Sequence, residues 1–104
     1  MLTTIKKLFG IGYHTDYAQL VKEGAIILDV RSRGEFESGH IKGSINIPIN
    51  QLGNNLHKWK DKNKPIITCC ASGMRSASAK ALLQSNGYLK VCNGGSWSKL
   101  QNKL

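Results

Sequence analysis

Two short apolar runs, AIILDV (residues 25–30) and PIITCC (residues 65–70), constrain this chain more than any other feature. Each is short, rich in β-branched residues and apolar on both faces. Such runs read as strands of a parallel sheet, where crossover segments cover both sides. The remaining segments fit that role. Thr15 reads as the N-cap of a helix over DYAQLVKE, with Tyr17, Leu20 and Val21 at helical spacing and Gly24 suited to its C-terminal cap. RGEFESG allows about one helical turn, SINIPIN alternates into a short strand ending at Pro48, and NQLGNNLHKWK gives a poorer helix interrupted by Gly53. Pro65 opens the second apolar run after a DKNKP turn. Beyond it come the small-residue loop ASGM and a helix from about Arg75 to Asn86, with Ala77, Ala81, Leu82 and Tyr88 on its packing side and Gly87 at its end. LKVCN reads as a last short strand, and GGSWSKLQNKL as a Gly-Gly turn followed by a helix with Trp97 and Leu100 facing inward. Strands alternating with helices predict a single α/β domain, its mostly parallel central sheet flanked by helices.

A chain of 104 residues is enough for one core and too short for two. Hydrophobic residues at 40% and charged residues at 20% exclude a disordered chain, and the longest apolar run, residues 25–28, is far below a spanning length. Fifteen basic against six acidic residues, a formal charge of +9, would draw anionic partners. The basic residues are scattered singly or in pairs with no stripe of interleaved aromatics, so a small anionic ligand is expected rather than nucleic acid. Cys69, Cys70 and Cys92 are odd in number and lack framework spacing, which fits reduced thiols in a cytoplasmic setting. The N-terminal residues 1–12 carry no apolar core of signal-peptide length. They read as an extension forming a short helix, with Leu2, Ile5, Leu8 and Phe9 as its apolar stripe and membrane-surface contact as the alternative.

The chemistry concentrates in TCCASGMRS, residues 68–76. A cysteine at the end of a buried strand, followed by small residues and a helix, sits where backbone N–H groups and the helix N-terminus converge, a field that stabilises a thiolate and an adjoining anion. Two adjacent cysteines precede Arg75, so the loop counts as C-x5-R from Cys69 or C-x4-R from Cys70. A loop curling its amides around one centre needs a residue that takes positive φ, most cheaply glycine. Tyrosine-phosphatase-like loops, C-x-x-G-x-x-R, would require that glycine at position 72, which is Ser72; Gly73 stands three residues after Cys70. Cys70 is therefore the candidate nucleophile, and Cys69 and Cys92 read as buried core thiols.

Three segments together resemble the single-domain rhodaneses of the sulfurtransferase family. LDVRSRGEFESGHIKGSINIP (residues 28–48) is similar to the family's D-V-R, E-F and G-H-I-x-G-(A/S)-x-N-I-P pattern, CASGMRSA (residues 70–77) to its cysteine loop, and NGYLKVCNGGSWSKL to its closing segment. The resemblance implies a rhodanese-like domain over residues 13–104, a nucleophilic Cys70, and a persulfide cradled by Ala71, Ser72, Gly73, Met74 and Arg75. It implies transfer of sulfane sulfur from an anionic donor, thiosulfate or a persulfide, to a thiol or cyanide, with no metal and no organic cofactor. Related phosphatases and arsenate reductases of the same fold use a loop one residue longer. Noncatalytic rhodanese-like modules also exist, usually without the cysteine, so three readings stand: sulfurtransferase, phosphatase or arsenate reductase, and binding module.

Asp29 ends a buried strand and must be paired, with loop amides or an arginine as expected partners and support of the loop as its role. Arg31 is expected to pair with Glu35 or Glu37, and Arg75 to turn inward to an acid such as Asp29, with outward contact to the donor as the alternative. His40 is expected to be structural, and His14 and His57 to lie on the surface. Ala71, Ser72 and Met74 carry no charge, whereas thiosulfate-preferring relatives often place cations there, which points toward a thiol-borne or protein-borne persulfide as donor.

Overall fold

The computed structural model describes residues 15–104; the expected N-terminal helix and His14 lie outside the described residues. The chain runs α1 (Tyr17–Lys22), β1 (Ile26–Asp29), α2 (Arg33–Ser38), β2 (Ile45–Asn46), α3 (Ile49–Leu52) continuing into a 3₁₀ helix (Gly53–Lys58), β3 (Ile66–Cys70), α4 (Met74–Ser85), β4 (Val91–Ser96) and α5 (Trp97–Gln101). The four strands form one parallel sheet in the order β2-β1-β3-β4. This is the α/β architecture expected from the two apolar runs, which are its central pair, with Ile26 to Asp29 opposite Ile66 to Cys69.

Alternation along these strands builds two cores. Leu28, Ile66, Cys70 and Val91 face one side, where Leu52 of α3 and Ala79 and Leu83 of α4 cover them with Val30, Ile47 and Tyr88. Ile27, Ile67, Cys69 and Cys92 face the other, packed with Leu20 of α1, Ile41 and Leu100 of α5. Leu28, Ile66 and Ile67 are fully buried, and each such side chain contributes about 1.5–3 kcal/mol through burial.

Several local expectations change. The N-cap of α1 is Asp16, whose carboxylate accepts the Gln19 N–H, rather than Thr15. Gly24 does end the helix: its N–H donates to Val21 O and that of Ala25 to Leu20 O, the paired bonds of a Schellman cap. The inward stripe of α4 is Ser76, Ala79 and Leu83, whereas Ala77 and Ala81 are exposed and Leu82 is half-buried. Instead of a Gly-Gly turn, β4 runs through both glycines to Ser96, which pairs with Cys70 past a bulge. A Cβ at Gly94 would lie 2.9 Å from Ile67 Cγ2, Leu100 Cδ2 and the Thr68 carbonyl, so glycine lets strand and terminal helix close together there.

Candidate active site

The end of β3 delivers Cys70 to a loop that closes back on its own sulfur. Gly73 adopts φ +100°, a left-handed conformation that side chains disfavour, and as N-cap of α4 it turns its N–H onto Cys70 Sγ at 3.0 Å. One turn later the Ser76 N–H reaches the same sulfur at 3.4 Å. The Ser76 hydroxyl also lies 3.4 Å from Sγ. Burial raises the Cys70 pKa, but hydrogen bonds from the Ser76 hydroxyl and from the N–H groups of Ser76, Gly73 and Ser72 outweigh it, leaving the thiol below its ordinary value. Cys70 itself is fully buried, while Ala71, Ser72 and Met74 above it are exposed.

Asn93 on β4 locks this arrangement, a role the sequence reading missed. Its Oδ1 accepts the Ser76 hydroxyl at 2.6 Å and the Gly95 N–H at 2.9 Å, and its Nδ2 donates to the Gly73 carbonyl at 3.2 Å. One side chain thus holds Gly73 and Ser76, two of the residues that donate to Sγ. Ser76 has a single hydroxyl proton. Aimed at Asn93 it leaves the oxygen to accept the Cys70 S–H; rotated toward Sγ it donates to the thiolate. The asparagine of the closing V-x-N segment was the available signal. Its function depends on Ser76 facing the sheet, which spacing does not reveal.

The expected supporting residues Asp29 and Arg31 meet at the end of β1. Both are buried and pair with each other: Asp29 meets an arginine, one of its two expected partners, whereas Arg31 takes Asp29 rather than the carboxylate of Glu35 or Glu37. Asp29 Oδ2 accepts Arg31 Nη2 at 2.7 Å, and Oδ1 accepts Arg31 Nε at 3.0 Å and the Arg31 N–H at 3.1 Å. The same guanidinium donates to the Glu35 and Gly39 carbonyls at 3.2 and 2.7 Å and lies 4.8 Å from the centre of the Trp97 ring. Arg31 thereby ties the middle and the C-cap of α2 to β1. Arg75 turns to an acid as expected, but to Glu35 rather than Asp29, through Nη1–Oε1 at 2.7 Å and Nη2–Oε2 at 3.0 Å. This pair, with the Ser32 cap, holds the Glu35 pKa down at about 2.

Cys69 points to the opposite face, where burial, followed by the charge of Asp29, pushes its thiol up to about 12. Cys92 lies on that face as well, its thiol raised by burial. His40 stacks on Phe36 and its Nδ1 lies 2.8 Å from the Phe36 carbonyl, so it stabilises the end of α2; His57 is exposed. Among the described residues no cluster of three or more His, Cys, Asp or Glu has metal-holding geometry, and no helix is long and apolar enough to cross a membrane.

The Rhodanese-like domain family model matches residues 14–103, and the chain belongs to that family. It is 34% identical over 105 residues to the uncharacterized protein YqhL of Bacillus subtilis, covering 100% of this chain and 75% of YqhL. To the thiosulfate sulfurtransferase PspE of Escherichia coli it is 33% identical over 69 residues, 65% of this chain and 66% of PspE. The solved structure of the human single domain sulfurtransferase TSTD1 superposes with a TM-score of 0.70 at 26% identity, over 85% of this chain and 90% of that one.

Proposed function

We propose that this protein transfers sulfane sulfur through a persulfide on Cys70. The observation that carries the reading is the convergence of the Gly73 and Ser76 N–H groups on Cys70 Sγ at the N-terminus of the 12-residue helix α4. The names of PspE and TSTD1 support it at family level. The Cys70 thiolate attacks the outer sulfur of the donor. With thiosulfate the S–S bond breaks and sulfite leaves with the bonding pair; with a persulfide R–S–S⁻ a thiolate R–S⁻ leaves. Either way Cys70–S–S⁻ remains, its negative sulfur held by the N–H groups that first held the thiolate. A thiol, as its thiolate, or cyanide then takes the outer sulfur and returns Cys70 to the thiolate. The chemistry needs no metal or organic cofactor, and its partners are a small anionic donor or a protein-borne persulfide and a thiol or cyanide acceptor, in a reducing, cytoplasmic setting.

Cys69 faces the other core with a thiol pushed up to about 12, which weighs against a phosphatase loop counted from it. A thiol tuned downward at Cys70 weighs against a purely noncatalytic module. Initial rates with a low-molecular-weight persulfide and a thiol acceptor are expected to follow ping-pong kinetics, with no hydrolysis of aryl phosphates. The rate of Cys70 loading should rise with pH with its inflection below the ordinary thiol value of 9.0, since the thiolate is the attacking form and its pKa is lowered. Aryl phosphate turnover without sulfur transfer would reverse the assignment.

A further inference from the structure

The N–H groups on Cys70 Sγ serve the transferred sulfur, and the rest of the donor must find its own partner. Thiosulfate departs as sulfite, a dianion whose charge builds up in the transition state and calls for a cation nearby. A persulfide departs as a singly charged thiolate on a carbon skeleton. Of residues 70–75, Arg75 alone is cationic; Ala71, Ser72 and Met74 are neutral, and Met74 is 78% exposed. Both terminal nitrogens of Arg75 are engaged by the two oxygens of Glu35 at 2.7 and 3.0 Å.

Glu35 is itself fixed in place. Its Oε1 also accepts the Ser32 hydroxyl at 3.0 Å and the Ser32 N–H at 3.1 Å; the latter bond, with the Glu35 N–H donating to Ser32 Oγ at 3.3 Å, is the capping box that starts α2. Arg31 donates to the Glu35 carbonyl from its buried pair with Asp29, so the helix carrying Glu35 is anchored to the sheet. The Glu35–Arg75 contact is therefore built from segments 40 residues apart rather than being a chance surface pair.

We propose that Glu35 is a specificity-determining residue: it withdraws Arg75 from the donor's leaving group, so that the site takes thiol-borne persulfides in preference to thiosulfate. This rests on the sulfur-transfer reading. The exposed Met74 then offers apolar contact to the carbon skeleton of such a donor. Both side chains of the pair are more than a third exposed, 37% for Arg75 and 39% for Glu35, so loss of the pair costs the fold little while releasing the guanidinium toward the loop.

The test compares wild type, Glu35→Gln and the double variant Glu35→Gln/Arg75→Met. Single-turnover loading of Cys70 is followed by mass spectrometry, once with thiosulfate and once with cysteine persulfide. Glutamine keeps a capping acceptor at the start of α2. The ratio of thiosulfate to persulfide loading rates should rise about tenfold in Glu35→Gln and return to the wild-type ratio when Arg75 is also removed. An unchanged ratio, including equal losses with both donors, would overturn the inference alone, as would a rise that persists without Arg75. No loading of the wild type by either donor would sink the sulfur-transfer reading and the inference with it.

Discussion

Cys70→Ser is expected to lose sulfur transfer by at least about a thousandfold, because a serine hydroxyl cannot hold the covalent sulfur that links the two half-reactions. Cys69→Ala is the informative partner variant. Cys69 packs in the core on the far side of the sheet with its thiol pushed up to about 12, so it is neither placed nor ionised to attack. Its removal should leave turnover within about threefold, at a stability cost of about 1 kcal/mol. Steady-state rates with a persulfide donor check both. Retained transfer in Cys70→Ser with loss in Cys69→Ala would move the nucleophile one residue back and restore the longer loop.

The second large effect is on stability. Asp29 is fully buried and Arg31 only 4% exposed, so truncating the acid leaves a guanidinium in the core without its counter-charge. Breaking a buried pair in this way costs about 3–5 kcal/mol, a large part of the roughly 5–15 kcal/mol available to a domain. Asp29→Ala should therefore lower Tm by about 15 °C or more, at about 4–8 °C per kcal/mol for a chain of this size. Urea unfolding should show a shifted midpoint at nearly unchanged slope. A loss below about 1 kcal/mol would mean that Arg31 is held by the Glu35 and Gly39 carbonyls and Trp97 alone.

The strand pair at the centre of the fold was legible because runs such as AIILDV and PIITCC leave no polar face to expose, and that property is local. The choice of Cys70 over Cys69 was legible for a related reason. One glycine position decides where the loop can turn, and Gly73 takes the positive φ that the count from Cys70 required.

What escaped the sequence was set by contacts across the chain. The alanines at 77 and 81 suggested a packing face for α4, but Ser76 must face the sheet to reach Cys70 Sγ, and that rotates Ala79 and Leu83 inward. The motif offers Arg75 more than one acid, Asp29 among them. Yet Arg31 is only two residues from that carboxylate and occupies both of its oxygens, leaving Arg75 to Glu35. The two glycines of the closing segment suggested a turn, and only the approach of Ile67, Thr68 and Leu100 explains why a strand residue there is glycine. Asn93 lay in a quoted motif without a role, since neither Gly73 nor Ser76 is its neighbour until the sheet forms.

The central claim is that Cys70 carries the sulfur, and the mass of its peptide tests it most directly. After incubation with a persulfide donor and rapid quenching, the peptide spanning Cys69 and Cys70 should gain about 32 Da, one sulfur atom. Fragmentation should place that mass on Cys70, and a thiol acceptor should remove it. A peptide that gains no mass, or gains it on Cys69, would contradict the account.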